Sequence, residues 1–177
     1  MLFVRQMGPS EVDFIIDYFH ESTPEHLEMM GVDPSRLPHP SVWRKGFQRE
    51  FDLPAEQRTR LFVIWLMNDR PVGFSTSDKI VFGERANMHL HVVEPENRNQ
   101  GIGAVCVRQT VDIYFEALRL KQLFCEPNAF NIAPNRTLQK AGFRYVKTYM
   151  TVPGALNFHQ PVTRWVMERW LPLHTCP

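Results

Sequence analysis

Two histidines, His89 and His91, stand one residue apart and carry side chains that move protons near neutral pH. They alternate with apolar residues in MHLHVV, which predicts a β-strand with both imidazoles on one face. A neutral imidazole there can accept a proton from an ammonium group. Two alternatives stay open: the histidines hydrogen-bond within the core, or the His-x-His pair ligates a metal. No cysteine or third histidine lies at companion spacing, so we predict no metal site.

A polar turn follows this strand and ends in Gly101-Ile102-Gly103. Glu94, in the turn, is a further candidate proton acceptor acting through water, although it also suits a solvated turn. The glycines open the strongest predicted helix, whose first N–H groups and partial positive charge suit a phosphate or pyrophosphate. Glycine lets such a ligand approach the backbone closely, and Arg98 adds a cation. The alternative is a tight turn that needs glycine only for its backbone shape.

Two common nucleotide motifs do not fit this turn. The dinucleotide fingerprint requires a third glycine where the chain has Cys106, and no Gly-Lys-Ser/Thr sequence of a P-loop is present.

Periodicity and turn residues predict the elements that position these groups. Their order is strand, helix, irregular helical insert, hairpin, strand, helix, strand, helix and two strands, which indicates an α/β fold with a mixed, partly parallel sheet. We predict helices at residues 9–20, 101–118 and 131–141, strands at residues 2–7, 61–67, 72–77, 88–93 and 122–127 with two more near the end, and an insert at about residues 23–56.

Composition narrows the classes of function. The 177 residues have 44% hydrophobic and 22% charged content and a formal charge of +1, so neither nucleic acid nor a membrane surface is an expected partner. No apolar run is long enough for a membrane span, and the N-terminus does not resemble a secretory signal. Three scattered cysteines, Cys106, Cys125 and Cys176, indicate free thiols in a reducing compartment, so we expect a cytoplasmic protein.

Two segments together resemble a known superfamily. Residues 98–103 read Arg-x-x-Gly-x-Gly after a strand and Glu-Pro-Glu, and NIAPNRTLQKAGF follows at residues 131–143. The first is similar to motif A of the GCN5-related N-acetyltransferases (GNAT), and the second resembles their later Asn-initiated helix. The resemblance covers residues 61–170 and is closest to the branch that acetylates ribosomal-protein N-termini.

This resemblance implies a single acyl-CoA N-acyltransferase domain over residues 1–177, with a mostly antiparallel sheet of six to seven strands and flanking helices. The co-substrate would be acetyl-CoA. Val92 and Val93 would pair with its pantetheine arm, Asn131 would contact the pantetheine or sulfur region, and Arg136 would reach the nucleotide phosphates. The backbone N–H groups that would hold the pyrophosphate belong to Arg98, Asn99, Gln100, Gly101, Ile102, Gly103 and Ala104.

The implied reaction is direct attack of a primary amine on the thioester, with His89, His91 or Glu94 accepting the proton and an N–H near Val93 polarising the carbonyl. Leu138 stands where many members have the tyrosine that protonates the thiolate, and Pro134 replaces a frequent serine. Water, a backbone group, or a later tyrosine, Tyr145 or Tyr149, would then serve instead.

Three questions stay open at this level. The alternative to an enzyme is a non-catalytic acyl-CoA-binding sensor or partner module. The acceptor is either a small-molecule amine or a protein amine, and a homodimer is compatible with the resemblance.

Overall fold

Seven strands form one sheet in the computed structural model, which describes residues 1–93 and 101–169. The order across the sheet is β1-β2-β3-β4-β5-β7-β6, and among these strands only β4 and β5 run parallel. The strands are β1 (Leu2–Gln6), β2 (Leu61–Met67), β3 (Arg70–Val81), β4 (Arg85–Val92), β5 (Gln122–Cys125), β6 (Arg144–Thr151) and β7 (Gln160–Glu168).

Five α-helices flank the sheet. Three of them precede β2, one connects β4 to β5, and one connects β5 to β6. They are α1 (Asp13–Glu21), α2 (Pro24–Met29), α3 (Pro40–Asp52), α4 (Ile102–Ala117) and α5 (Ile132–Ala141). The predicted α/β class and the mixed, mostly antiparallel sheet of six to seven strands are confirmed.

The sheet separates two apolar cores. On the front face, Phe62 and Phe74 pack against α1 and α3. Trp43 and Phe47 are the buried aromatic residues of α3. On the back face, Trp65 and its neighbours pack against α4 and α5. The continuous apolar sequence of β2 supplies both cores, because alternate side chains of a strand point to opposite faces.

Some boundaries differ from the sequence-based expectations. The predicted helix at residues 9–20 begins as a 3-10 turn, Pro9–Glu11, before α1. The Glu11 carboxylate accepts the N–H of Gly8 at 2.7 Å and also pairs with Arg5. These contacts hold the chain in a separate turn. Strand β3 continues four residues past the predicted end, because its pairing with β4 extends from Gly73 to Val81.

Glycine precedes α4 and ends α5, and a polar turn joins β2 to β3. Gly101 precedes α4 with φ +81°, and Gly142 ends α5 with φ +99°. A side chain is strained at such positive φ values, which explains glycine at both positions. The turn between β2 and β3 uses Asn68 and Asp69 with positive φ, as tight hairpins require.

Candidate active site

The sheet opens where strands β4 and β5 part. Their parallel pairing ends at Met88 opposite Cys125, whereas β4 continues to Val92. A cavity of about 840 Å³ occupies the space beyond this point. Its walls come from α1–α3, strands β3 and β4, the start of α4, the segment after β5, and α5.

His89 and His91 both line this cavity, so the predicted common face is confirmed. His89 Nε2 lies 3.2 Å from Asp78 Oδ2 on the neighbouring strand. Within the described residues the other oxygen, Oδ1, is buried and has no hydrogen-bond partner. Burial alone would raise the pKa of Asp78, but the hydrogen bond and charge of His89 outweigh it and lower that pKa. Asp78 is therefore ionised at neutral pH.

Sequence reasoning missed Asp78, although a signal existed. Asp78 continues the alternation of Phe74 and Thr76 on β3, which places it on the cavity face. The predicted strand ends at Ser77, one residue before Asp78.

His91 has a different environment from His89. Its ring stacks on Phe74 with centroids 4.8 Å apart and packs against Tyr18 and Phe19 at 5.1 and 5.2 Å. The Tyr18 hydroxyl is 2.8 Å from His26 Nε2. His91 thus belongs to an aromatic wall of the cavity, whereas His89 faces a carboxylate.

The two glycines of Gly-Ile-Gly have separate structural reasons. Gly101 needs its positive φ, and a Cβ there would meet open space. At Gly103 a Cβ would lie 3.3 Å from Thr137 Cγ2 on α5. Close packing of α4 on α5 therefore explains Gly103, a reason that the sequence did not indicate. Gly103 and Ala104 line the cavity, whereas the side chain of Ile102 packs against the back-face core.

The expectation of an oxyanion donor near Val93 is not met by Val93 itself. Its N–H donates to the Val72 carbonyl at 3.0 Å, within the sheet. Because backbone groups alternate along a strand, the N–H groups of Leu90 and Val92 point to the opposite edge, toward the cavity. Leu90 and Val92 both line it, and Val93 packs against the front-face core.

Helix α5 brings further predicted and unpredicted groups to the cavity. Asn131, at the start of the helix, and Arg136 both line it. Thr137 and Lys140 do so as well. Lys140 lies four residues after Arg136, and this spacing, which places two side chains on one helix face, was the available signal. Glu94, Arg98, Asn99 and Gln100 lie outside the described residues.

A buried carboxylate joins the strands beside the opening. Glu126 follows β5 directly, lines the cavity and is 8% exposed. It accepts hydrogen bonds from Asn87 Nδ2 at 3.2 Å and from the Tyr149 hydroxyl, and it pairs with Arg164 at 3.3 Å. Burial and the bond to Glu126 raise the pKa of Tyr149.

The tyrosines considered as thiolate proton donors, Tyr145 and Tyr149, are not among the residues that line the cavity. Tyr149 donates to Glu126, and Tyr145 packs edge-on against Trp165. Leu138, at the position where many members have the donor tyrosine, is fully buried in the back-face core.

The connection between β6 and β7 covers the front of the cavity. We name residues 153–158 the roof loop. It is bound to the segment after α2: the Gly31 carbonyl accepts from Asn157 Nδ2 at 2.9 Å and from the Phe158 N–H at 3.3 Å. Asp33 N–H also donates to the Leu156 carbonyl at 2.8 Å. A Cβ built on Gly154 would be 3.9 Å from both His89 Cε1 and Asp78 Oδ2, so the roof loop lies over this pair.

We also searched the part of the chain that the structure describes for a metal site, a reactive cysteine and a membrane-spanning helix. It contains no group of three or more His, Cys, Asp or Glu side chains that could hold a metal. Cys106 and Cys125 are buried, and burial raises the pKa of both thiols, that of Cys106 to about 12. Neither is a thiolate at neutral pH. None of the described helices is long and apolar enough to cross a membrane.

Comparison with solved structures identifies proteins of the same fold. A spermidine N-acetyltransferase from Vibrio cholerae, solved with CoA and spermine, is 13% identical with a TM-score of 0.74, covering 94% of this chain and 95% of the other. A ribosomal L7/L12 α-N-protein acetyltransferase, solved with coenzyme A, is 15% identical with a TM-score of 0.73, covering 94% of this chain and 93% of the other. An aminoglycoside acetyltransferase, solved with coenzyme A and kanamycin, is 17% identical with a TM-score of 0.69, covering 96% of this chain and 95% of the other. At these identities the likeness shows the fold.

No curated protein sequence matches the chain. The family model described as "Acetyltransferase (GNAT) domain" matches residues 2–144, which includes the opened strand pair, the Asp78–His89 pair and both glycines. The chain therefore belongs to the GNAT acetyltransferase family and transfers an acetyl group from acetyl-CoA to an amine.

Proposed function

We propose that the acceptor is the primary amine of a small molecule and that His89, held by Asp78, takes up its proton. The observation that carries this proposal is the roof loop above the Asp78–His89 pair, bound to the segment after α2. An extended peptide would have to separate these two segments to reach His89. A small amine enters the cavity with the contacts intact.

The size of the cavity supports the same acceptor class. Small-molecule sites commonly have volumes of about 300–1,000 Å³. The cavity of about 840 Å³ must also take the pantetheine end of acetyl-CoA, since it includes the start of α4 and the cavity side of α5. The remaining space suits a small acceptor.

The start of α4 and helix α5 would bind the phosphates of acetyl-CoA. The first N–H groups of α4 and its dipole suit the pyrophosphate, and Arg136 and Lys140 supply cations for the phosphates. The pantetheine arm would lie along β4 beyond Met88, at Leu90 and Val92, with Asn131 beside its sulfur end. Arg98, Asn99 and Gln100 stay part of this proposal through the family resemblance.

The reaction then has balanced steps. His89 removes a proton from the acceptor ammonium, and the neutral nitrogen attacks the thioester carbon. The Leu90 N–H stabilises the oxyanion that forms. After the attack the nitrogen is cationic, and it gives its second proton to water as the carbon–sulfur bond breaks. The neutral amide is released, and the thiolate takes a proton from water. His91 and Glu94 stay secondary candidates, because His91 is packed among aromatic rings and Glu94 lies outside the described residues.

A first prediction concerns the packing role of Gly103. Gly103→Ala places a methyl group 3.3 Å from Thr137 Cγ2, a tight contact that requires Thr137 to move by a few tenths of an ångström. We expect this shift to disturb the packing of α4 on α5. We expect the Kd for CoA to rise about tenfold, equivalent to about 1.4 kcal/mol. In Gly103→Ala/Thr137→Ala the contact is relieved, and affinity measured by calorimetry returns near the wild-type value. Weak binding by the double variant would show that the ligand itself requires the glycine.

A second prediction concerns proton removal. His89→Gln should lower kcat by about 10²-fold, within the range of general-base catalysis, with the Kd for acetyl-CoA unchanged. Asp78→Asn should lower kcat in the same direction, because the carboxylate no longer stabilises the imidazolium. Exposed His159 provides the matched control, and His159→Gln should retain full turnover. Unchanged kcat in His89→Gln would remove His89 from the mechanism.

A third prediction tests the acceptor class. In a thiol-release assay, small primary amines should exceed N-terminally free heptapeptides in kcat/KM by about 100-fold or more, because the roof loop excludes the peptide backbone. Turnover of the peptides at equal or greater kcat/KM would contradict a small-molecule acceptor while leaving acetyl transfer itself intact.

A further inference from the structure

The part of the cavity that α1, α3 and β2 line has aromatic walls. We name Tyr18, Phe19, Trp43, Phe47 and Phe62 the aromatic chamber. All five side chains are buried and all line the cavity. Their rings contact one another: Phe19 and Trp43 have centroids 5.5 Å apart, and Phe47 and Phe62 are 4.8 Å apart. Such walls suit a flat or apolar group of the acceptor.

One cation of the chamber has no carboxylate of its own. Arg60 lines the cavity, and its guanidinium lies 5.6 Å from the centroid of the Phe47 ring. No ion pair of Arg60 occurs among the described residues. The nearby Glu50 carboxylate instead accepts the backbone N–H groups of Thr59 and Arg60 at 2.8 and 3.2 Å.

The second arginine of this region is already committed. Arg36 Nε lies 3.3 Å from Asp33 Oδ2, and its Nη1 donates to the Asn157 carbonyl at 2.9 Å. Arg36 therefore fastens the roof loop, and Arg60 is the cation available to a ligand. The positive charge of Arg60 also contributes to the low pKa of Asp78, so its field reaches the proposed proton-transfer site.

The charge of the cavity argues against a polycationic acceptor. Four cationic side chains and two carboxylates line its described part: Arg36, Arg60, Arg136, Lys140, Asp78 and Glu126. Glu126 is paired with Arg164, which leaves Asp78 as the carboxylate that can attract an ammonium. One ammonium is therefore accommodated, whereas a chain of several ammonium groups meets arginine.

We propose that the acceptor is a zwitterionic aryl or large apolar amine, whose carboxylate or phosphate binds Arg60 and whose ring occupies the aromatic chamber. This inference rests on the proposed function, because it assumes that the amine lies at Asp78 and His89. Guanidinium and an oxyanion form two parallel charge-assisted hydrogen bonds, so Arg60 determines specificity.

The test compares matched amines with and without the anion. One pair is L-phenylalanine and phenethylamine, which probes a carboxylate, and the other is pyridoxamine 5′-phosphate and pyridoxamine, which probes a phosphate. Wild-type protein should prefer the anionic member of at least one pair by about 10- to 100-fold in kcat/KM. The pair that shows the preference identifies which anion is recognised.

Variants assign that preference to Arg60. In Arg60→Gln the preference should fall to near unity, because kcat/KM falls far more for the anionic member than for its neutral partner. Arg58 provides the matched control, since it does not line the cavity and its Nε donates to the Leu53 carbonyl. Arg58→Gln should retain the preference, and equal melting temperatures of both variants would show that the fold is intact.

Two results would overturn the inference. One is a wild-type enzyme that does not favour the anionic member of either pair, or that accepts neither pair. The other is an Arg60→Gln variant that keeps the preference. The proposed function is judged separately. If any small amine is acetylated and His89→Gln lowers that kcat by about 10²-fold, the proposed function stands even when the preference for an anion fails.

Discussion

The parting of β4 and β5 after the Met88–Cys125 pair is the constraint on which the site depends. A parallel pair that continued to Val92 would fill the space now occupied by the cavity. Because β5 stops, β4 turns one edge toward the cavity while its other edge stays bonded to β3. The same four residues, 89–92, thereby present the proposed proton acceptor, His89, from one face and the N–H groups of Leu90 and Val92 from one edge. In the proposed mechanism, the general base and the oxyanion donor are therefore neighbours on one strand.

Buried polar groups stabilise this parting. Glu126 is the first residue after β5. Its carboxylate contacts side chains from three strands: Asn87 of β4, Tyr149 of β6 and Arg164 of β7. A buried carboxylate with several hydrogen-bond partners is costly to leave partly unsatisfied, so the network favours one arrangement of the strand ends. On the other side, the roof loop and the Gly31 segment close the front. A Cβ on Gly31 would overlap the Gln160 side chain, and only glycine permits that contact.

The elements of this fold were largely predictable because their signals are local. Alternation placed His89 and His91 on one face, the Gly101 and Gly142 positions marked helix ends, and the strand–helix–strand order indicated the parallel pair. The motifs at residues 98–103 and 131–143 indicated the family. The same resemblance singled out Asn131 and Arg136 as cofactor contacts, and both side chains line the cavity.

The remaining features depend on register and on contacts between distant segments. Asp78 meets His89 only because of the β3–β4 register, and a shift of one residue would turn Asp78 to the back face. The same register directs the Val93 N–H to Val72, so an N–H donor near Val93 has to come from a neighbouring residue of β4. The Gly31–Asn157 contact joins residues 126 positions apart. A local sequence pattern does not predict a contact between residues so far apart. It also does not predict that Arg60 lines the cavity.

Hydrogen exchange at individual amides of β4 tests the central claim most directly. The protein would be compared alone and saturated with a non-hydrolysable acetyl-CoA analogue in which a methylene replaces the thioester sulfur. The account predicts that exchange at the Leu90 amide slows strongly, whereas exchange at the His91 amide, which faces β3, changes little. Equal protection of both amides, or no change at Leu90, would contradict the claim that the acetyl group lies along the open edge of β4 beside His89.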